Sequence, residues 1–332
     1  MIGCSHRSRS RCRSVPEVVI DGLQINDWSR EILLECRTGG IDAVNATCAV
    51  WEEAAATRTE IDRLRAFVEA NADIATIVEQ AADIDSARDD GRVGIMLGFQ
   101  NGSPFEDRLE LVADFHARGV RVAQLTYNAR NLIGGACYDA VDEGLTPFGG
   151  DVIAEMNRVG MLVDLSHVGD RTCLEAVAAS TQPAAITHAN PRSFVDVPRN
   201  KPDHVIRAVT ERGGIIGVCL YPVVAGGAEA TLADFVAMIV RLIEDVGVDH
   251  VGIGSDCTRG WGRDYLLYLR AGRREPLAGE TLPDWPAWPD WFAGPADFPV
   301  LDAGLAAQGL AAGDIAKVLG GNWRRLLGEV IG

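Results

Sequence analysis

At 332 residues the chain exceeds the usual single-domain length, although a closed α/β barrel takes ~250 residues or more as one unit. It holds no run of about 18 uninterrupted apolar residues, so nothing in the sequence is built to span a membrane, while 47% apolar residues and a mean hydropathy near zero can fill a large core. The net charge of −16, with 31 basic residues scattered beyond one arginine-rich stretch, argues against a phosphate-tracking surface and hence against nucleic acid as a partner.

That stretch opens the chain. Residues 1–16 carry Arg7, Arg9, Arg11 and Arg13 but no apolar segment before Pro16, so they are expected to be a disordered basic tail rather than a secretory signal; a basic targeting segment or a misassigned start are the alternatives. The eight cysteines, at 4, 12, 36, 48, 137, 173, 219 and 257, form no CxxC pair, and several sit in apolar runs. This pattern is expected of buried thiols in a reducing compartment, which places the protein in the cytoplasm.

From residue 18 onward, eight short runs rich in Val and Ile recur between segments of helical periodicity. They are 18–20, 41–50, 93–97, 120–125, 161–165, 184–186, 215–220 and 251–254, with helices expected at 105–118, 149–159 and 232–246 among others. Near-continuous apolar strands suit a parallel sheet buried on both faces, and eight β/α units predict a closed (β/α)8 TIM barrel over residues 17–332. Residues 259–297, with Trp261, Trp285, Trp288, Trp291 and several prolines, are expected to be an irregular insertion near the barrel mouth. A substrate lid, an oligomer contact and plain packing are its alternatives.

Polar residues gather just after the runs, at Gln100-Asn101, Tyr127-Asn128, Ser166-His167, Thr187-His188 and Ser255-Asp256. In a barrel the C-terminal strand ends converge on the face where active sites are built. Neutral imidazoles of His167 and His188, ending consecutive strands, can point at one divalent cation; hydrogen-bonded core histidines are the plain alternative. Asp256 could accept a proton from water or bind a metal, or only cap a helix. Arg199 could clamp a carboxylate with its fork, or be a loop arginine.

The segments Gly144 to Gly149, Asp164 to His167, Thr187-His188 and Arg199-Asn200, with Gly252 to Asp256 and Gly320 to Trp323, resemble the renal (membrane) dipeptidase family of amidohydrolase barrels across about residues 17–330. The resemblance implies a metal-dependent hydrolase of dipeptides or small amides. It assigns metal binding to His167 and His188, acid/base work to Asp256 and substrate-carboxylate binding to Arg199. The family's first strand ends Asp-Gly-His-x-Asp, whereas this chain reads Asp21-Gly22-Leu23-Gln24-Ile25. The bridging Glu falls on Gln100, and a His of the fourth strand on Tyr127. A two-zinc centre is therefore expected to be lost, leaving at most one Zn2+ per chain on His167, His188 and Gln100 or Asp256, with Tyr127 and Asn128 facing substrate. The residues Phe99-Gln100-Asn101 and Tyr127-Asn128 resemble a divergent subset linked to betaine and dimethylglycine breakdown. From it follow an N-methylated amino-acid derivative as a substrate class and, as an alternative function, a non-hydrolytic small-molecule-binding or accessory protein of that catabolism. A homodimer is a further implication of the family.

Overall fold

The computed structural model describes residues 18–332; the basic tail, with Cys4 and Cys12, lies outside the described residues. Nine parallel strands run in chain order as β1 (Ile20–Gln24), β2 (Ala43–Ala49), β3 (Ala75–Val78), β4 (Val93–Phe99), β5 (Val120–Gln124), β6 (Leu162–Asp164), β7 (Ala185–Ile186), β8 (Ile215–Val218) and β9 (Val251–Ile253). Pairing of β2 with β4, and of β1 with both β2 and β9, closes an eight-stranded (β/α)8 barrel from all of these except β3. Seven of the barrel strands fall on the expected apolar runs, whereas β1 begins at Ile20, where the run 18–20 ends, and continues through Gln24. β3, whose four residues Ala75-Thr76-Ile77-Val78 give a weak apolar signal, lies along the N-terminal half of β4, where Ile77 pairs with Ile95.

Strand side chains alternate between two apolar environments. Val93, Ile95 and Leu97 pack outward against the surrounding helices, while Met96, Val122, Leu162 and Ile215 point inward with Ile20 and the C-terminal residues Trp323 and Leu326. Helix Asn322–Val330 thus closes the bottom of the barrel. Its Trp323 donates Nε1–H to the Ile253 carbonyl at 2.9 Å, and Asn322 donates to the carbonyls of Val248 and Val251. The indole reaches this position because a Cβ on Gly22 or on Gly252 would fall 2.5 Å from its ring. Close approach is the reason for glycine at both sites.

Two inward carboxylates tie strand ends together above that plug. Asp21 accepts from the amide and hydroxyl of Ser255, and Asp164 accepts from the amides and hydroxyls of both Ser166 and Thr187. Burial raises both acids above the usual carboxylate range, Asp21 to about 6, against the opposing pull of these hydrogen bonds.

The segment after β9 corrects one expectation. Arg263–Ala271 is a helix, because the prolines of the insertion begin only at Pro276 and Gly272 ends the helix in the left-handed region at φ 68°. Beyond it, residues 272–294 form no helix or strand. Their tryptophans are packed and hydrogen-bonded: Trp285 Nε1 donates to the Gly262 carbonyl, Trp291 Nε1 to that of Ala230, and Trp288 lies edge-on to Tyr221. Arg274 pairs with Asp264 and covers the faces of Trp261, Tyr265 and Tyr268. No helix among the described residues is long and apolar enough to cross a membrane.

Candidate active site

A cavity of about 380 Å³ opens at the C-terminal ends of the strands. Its lining brings together Gln100, Tyr127, Asn128, His167, Arg199 and Asp256, so six of the seven sequence-selected residues meet there, and His188 lies directly beneath. A larger groove of about 520 Å³ sits on the outer wall, between residues such as Arg207, Met238 and Asp245. It is lined by the loop after β7 and by helices Asp203–Thr210 and Leu232–Val246, and none of these seven residues lines it.

The two histidines face one another, Nε2 to Nε2, at 3.2 Å. Each is fixed from behind. His167 Nδ1 meets Asn128 Oδ1 at 2.8 Å with Tyr127 lying over its ring at 4.2 Å, and His188 Nδ1 meets Thr187 Oγ1 at 2.7 Å. The Thr187 hydroxyl hydrogen is directed at Asp164 Oδ2, 2.6 Å away, so Thr187 Oγ1 accepts from His188 Nδ1–H. Asn128 Oδ1 likewise accepts from His167 Nδ1–H. Burial, reinforced by the Arg199 charge, lowers both imidazoles well below their ordinary value and keeps them neutral. Two neutral rings protonated at Nδ1 direct two Nε2 lone pairs at the same point.

That geometry tests which metal centre these residues fit. Two nitrogens at the zinc–nitrogen bond length, on a tetrahedral ion, stand about 3.3 Å apart, close to the separation seen, and backing of each Nδ1 is the usual support of a ligating histidine. One ion fits. A second finds no ligands at Leu23 and Ile25, which are apolar, and because no group of three or more His, Cys, Asp or Glu among the described residues could hold a metal, the first would rest on the two histidines and a neutral donor. Gln100 donates its amide N–H to Thr47 Oγ1 at 3.0 Å, while its side-chain oxygen accepts no hydrogen bond among the described residues. It lines the cavity as a neutral oxygen donor.

Asp256 is the one carboxylate of the lining. Its side chain makes no hydrogen bond among the described residues, and burial pushes it up to about 7, against the pull of Arg199 and with help from Asp21 and Asp164. Its backbone is left-handed at φ 56°, as is that of Asn128 at φ 58°. Of the three non-glycine residues at positive φ among the described residues, these two line the same cavity, and strain of this kind is held where a site over-determines it. Arg199 is turned inward: its terminal nitrogens donate to the carbonyls of Ser166 and His188, bracing the strand ends that carry the histidines.

The sequence reading missed Tyr221, Leu266, Leu269 and Arg270 in the wall. Tyr221 follows the run 215–220 as directly as the chosen polar residues follow theirs, so its signal was present. Leu266, Leu269 and Arg270 share one helical face by their i, i+3, i+4 spacing, hidden inside a segment expected to be irregular.

A family model described as membrane dipeptidase, peptidase family M19, matches residues 30–263. Dipeptidase tcpJ of Claviceps purpurea is 26% identical over 82% of this chain and 60% of its own length. An uncharacterized dipeptidase of Schizosaccharomyces pombe is 30% identical over 70% of this chain and 52% of its own length. The chain thus spans little more than half the length of these curated relatives. Among solved structures, an amidohydrolase from Pseudomonas aeruginosa is 36% identical, with a TM-score of 0.88 over 94% of this chain and 96% of that one. A metallo peptidase from Rhodobacter sphaeroides, liganded with a phosphinate mimic of L-Ala-D-Ala, shares the fold at 20% identity and a TM-score of 0.78, over 94% of this chain and 99% of its own.

Proposed function

Starting from a chain that belongs to the membrane dipeptidase family, we propose that it is a hydrolase of a dipeptide or small amide working with a reduced metal site. The observation that carries this reading is the unpartnered Asp256 carboxyl, held near neutral pKa in the same cavity as the paired histidines. The family is metal-dependent; here His167, His188 and Gln100 would hold a single Zn2+, which when bound supplies Lewis acidity to the reacting carbonyl and water.

The protein's own groups do the rest. Asp256 takes a proton from the attacking water and returns it to the leaving nitrogen, for which a value near 7 suits both steps. Arg199 places positive charge beside the strand ends where negative charge develops on the carbonyl oxygen. Tyr127 and Asn128 orient His167 from one side and offer a ring and an amide to substrate from the other. The non-hydrolytic or accessory reading tied to betaine and dimethylglycine catabolism draws no support from the named relatives. The six described cysteines are free, which favours a cytoplasmic setting, and the family resemblance adds a homodimer, which sedimentation would test.

The test is amine release from a panel of dipeptides and N-acylated or N-methylated amides, with Asp256→Asn as control. Turnover lost in the variant supports the assignment; equal turnover in both, or none in the wild type with zinc supplied, overturns it.

A further inference from the structure

The cavity carries an asymmetry of charge that bears on its substrate. Two arginines, Arg199 and Arg270, stand against one carboxylate, Asp256. Arg199 is committed to two main-chain carbonyls at the inner end. Arg270 is exposed at the rim, and its guanidinium makes no hydrogen bond or ion pair among the described residues. It lies on helix Arg263–Ala271, past residue 263 where the family match ends. The helix is anchored by the Trp261–Tyr265 stack at 3.6 Å and by Arg274, which covers Tyr265 and pairs with Asp264. Tyr138 and Tyr221 stand beside Arg270: burial raises both phenols, and the guanidinium charge opposes the rise in each.

Part of the wall is apolar, and it includes Leu269, which adjoins Arg270 on the same helix. Ile25 packs with Tyr127 and Leu269 in one cluster, and all three line the cavity. A free dipeptide would bring an ammonium into this space, where the only carboxylate among the described residues of the lining is the acid/base itself; a buried unpaired ammonium is costly. A neutral acyl group suits the wall, and a carboxylate suits the arginine.

We propose that the substrate is an N-acyl amino acid, with its neutral acyl group against Ile25 and Leu269 and its carboxylate received at the rim by Arg270, a specificity-determining residue, with the Tyr138 and Tyr221 hydroxyls. The proposal rests on the hydrolase reading for the reaction but not for binding. In that reaction water adds to the acyl carbon, the C–N bond breaks, and a carboxylate and the free amino acid are released, with the proton carried to nitrogen.

The test is calorimetric titration of the zinc-supplied protein with N-acetyl-L-leucine, N-acetyl-L-leucinamide and L-leucyl-L-leucine, alongside amine-release rates for the same three. A charge-assisted contact predicts that N-acetyl-L-leucine binds about tenfold or more tighter than N-acetyl-L-leucinamide, and the unpaired ammonium predicts that it also binds tighter than L-leucyl-L-leucine. Arg270→Met should erase the preference over the amide and Arg270→Lys retain part of it; among the described residues Arg270 has no hydrogen-bond or ion-pair partner whose loss would unfold the chain. A preference over the amide that survives Arg270→Met, a dipeptide that binds best, or no binding of any of the three overturns the proposal. Selective binding without turnover of any amide sinks the hydrolase reading and leaves the anion subsite standing.

Discussion

His167 and His188 direct their Nε2 lone pairs at each other across 3.2 Å, with both Nδ1 hydrogens already committed. Lone pairs so placed repel unless a cation lies between them. Elemental analysis of protein purified without chelator should therefore find about one zinc per chain, and His167→Ala or His188→Ala should each abolish it, since one imidazole and an amide make a poor site. Two zincs per chain would contradict the fit argued from Leu23 and Ile25. None in the wild type would make the pair hydrogen-bonded core histidines instead.

Asp256, held at about 7, must be ionised to accept a proton from water. The sign follows directly: kcat/KM should be low at pH 5, rise through about pH 7 and level off above it. Asp256→Asn should lower the plateau by about 10²–10⁴ and remove the pH-dependent limb. A wild-type profile flat between pH 5 and pH 9 would assign the base elsewhere.

The barrel was legible because each of its strands is buried on both faces, so its Val and Ile runs stand out whatever the helices do. Strand-end polar residues were legible for a related reason: a polar group that follows a buried strand, such as Gln100 or His167, has little reason to be there but a site. Arg270 was not legible. Its position depends on a helix in a tryptophan-rich segment and on the turn by which that segment folds back over the mouth, which local pattern does not encode. Nor could sequence tell that Arg199 spends its fork on Ser166 and His188, since acceptors on the main chain leave no mark on residue identity.

Asp21 makes stability depend on pH. Burial raises it to about 6 from an unfolded value of 3.8, so the folded state binds the proton more strongly, and the stabilisation is complete below the unfolded value. It is lost as pH rises from about 4 through about 6. A difference of about two pKa units corresponds to about 3 kcal/mol. In urea unfolding, the stability of wild type relative to Asp21→Asn should fall by about that amount between pH 4 and pH 7. A constant gap would mean that Asp21 does not titrate across this range.

Trp323 and Gly252 share one space at the bottom of the barrel. Trp323→Ala, which removes a fully buried indole and its bond to Ile253, should cost about 3–5 kcal/mol. Gly252→Ala adds a Cβ whose three nearest atoms all belong to Trp323, the closest at 2.5 Å, and should cost about 1–3 kcal/mol. In the Trp323→Ala background that clash is gone, so the same substitution should be nearly neutral, and the double-mutant cycle should report a coupling of about 1–3 kcal/mol. Gly254→Ala supplies the contrast: its Cβ would lie 1.8 Å from the main-chain oxygen of Thr187, which the loss of Trp323 does not move. Removing the indole should rescue the first glycine variant and not the second; rescue of both would mean the barrel collapses around the lost side chain instead of keeping its strand register.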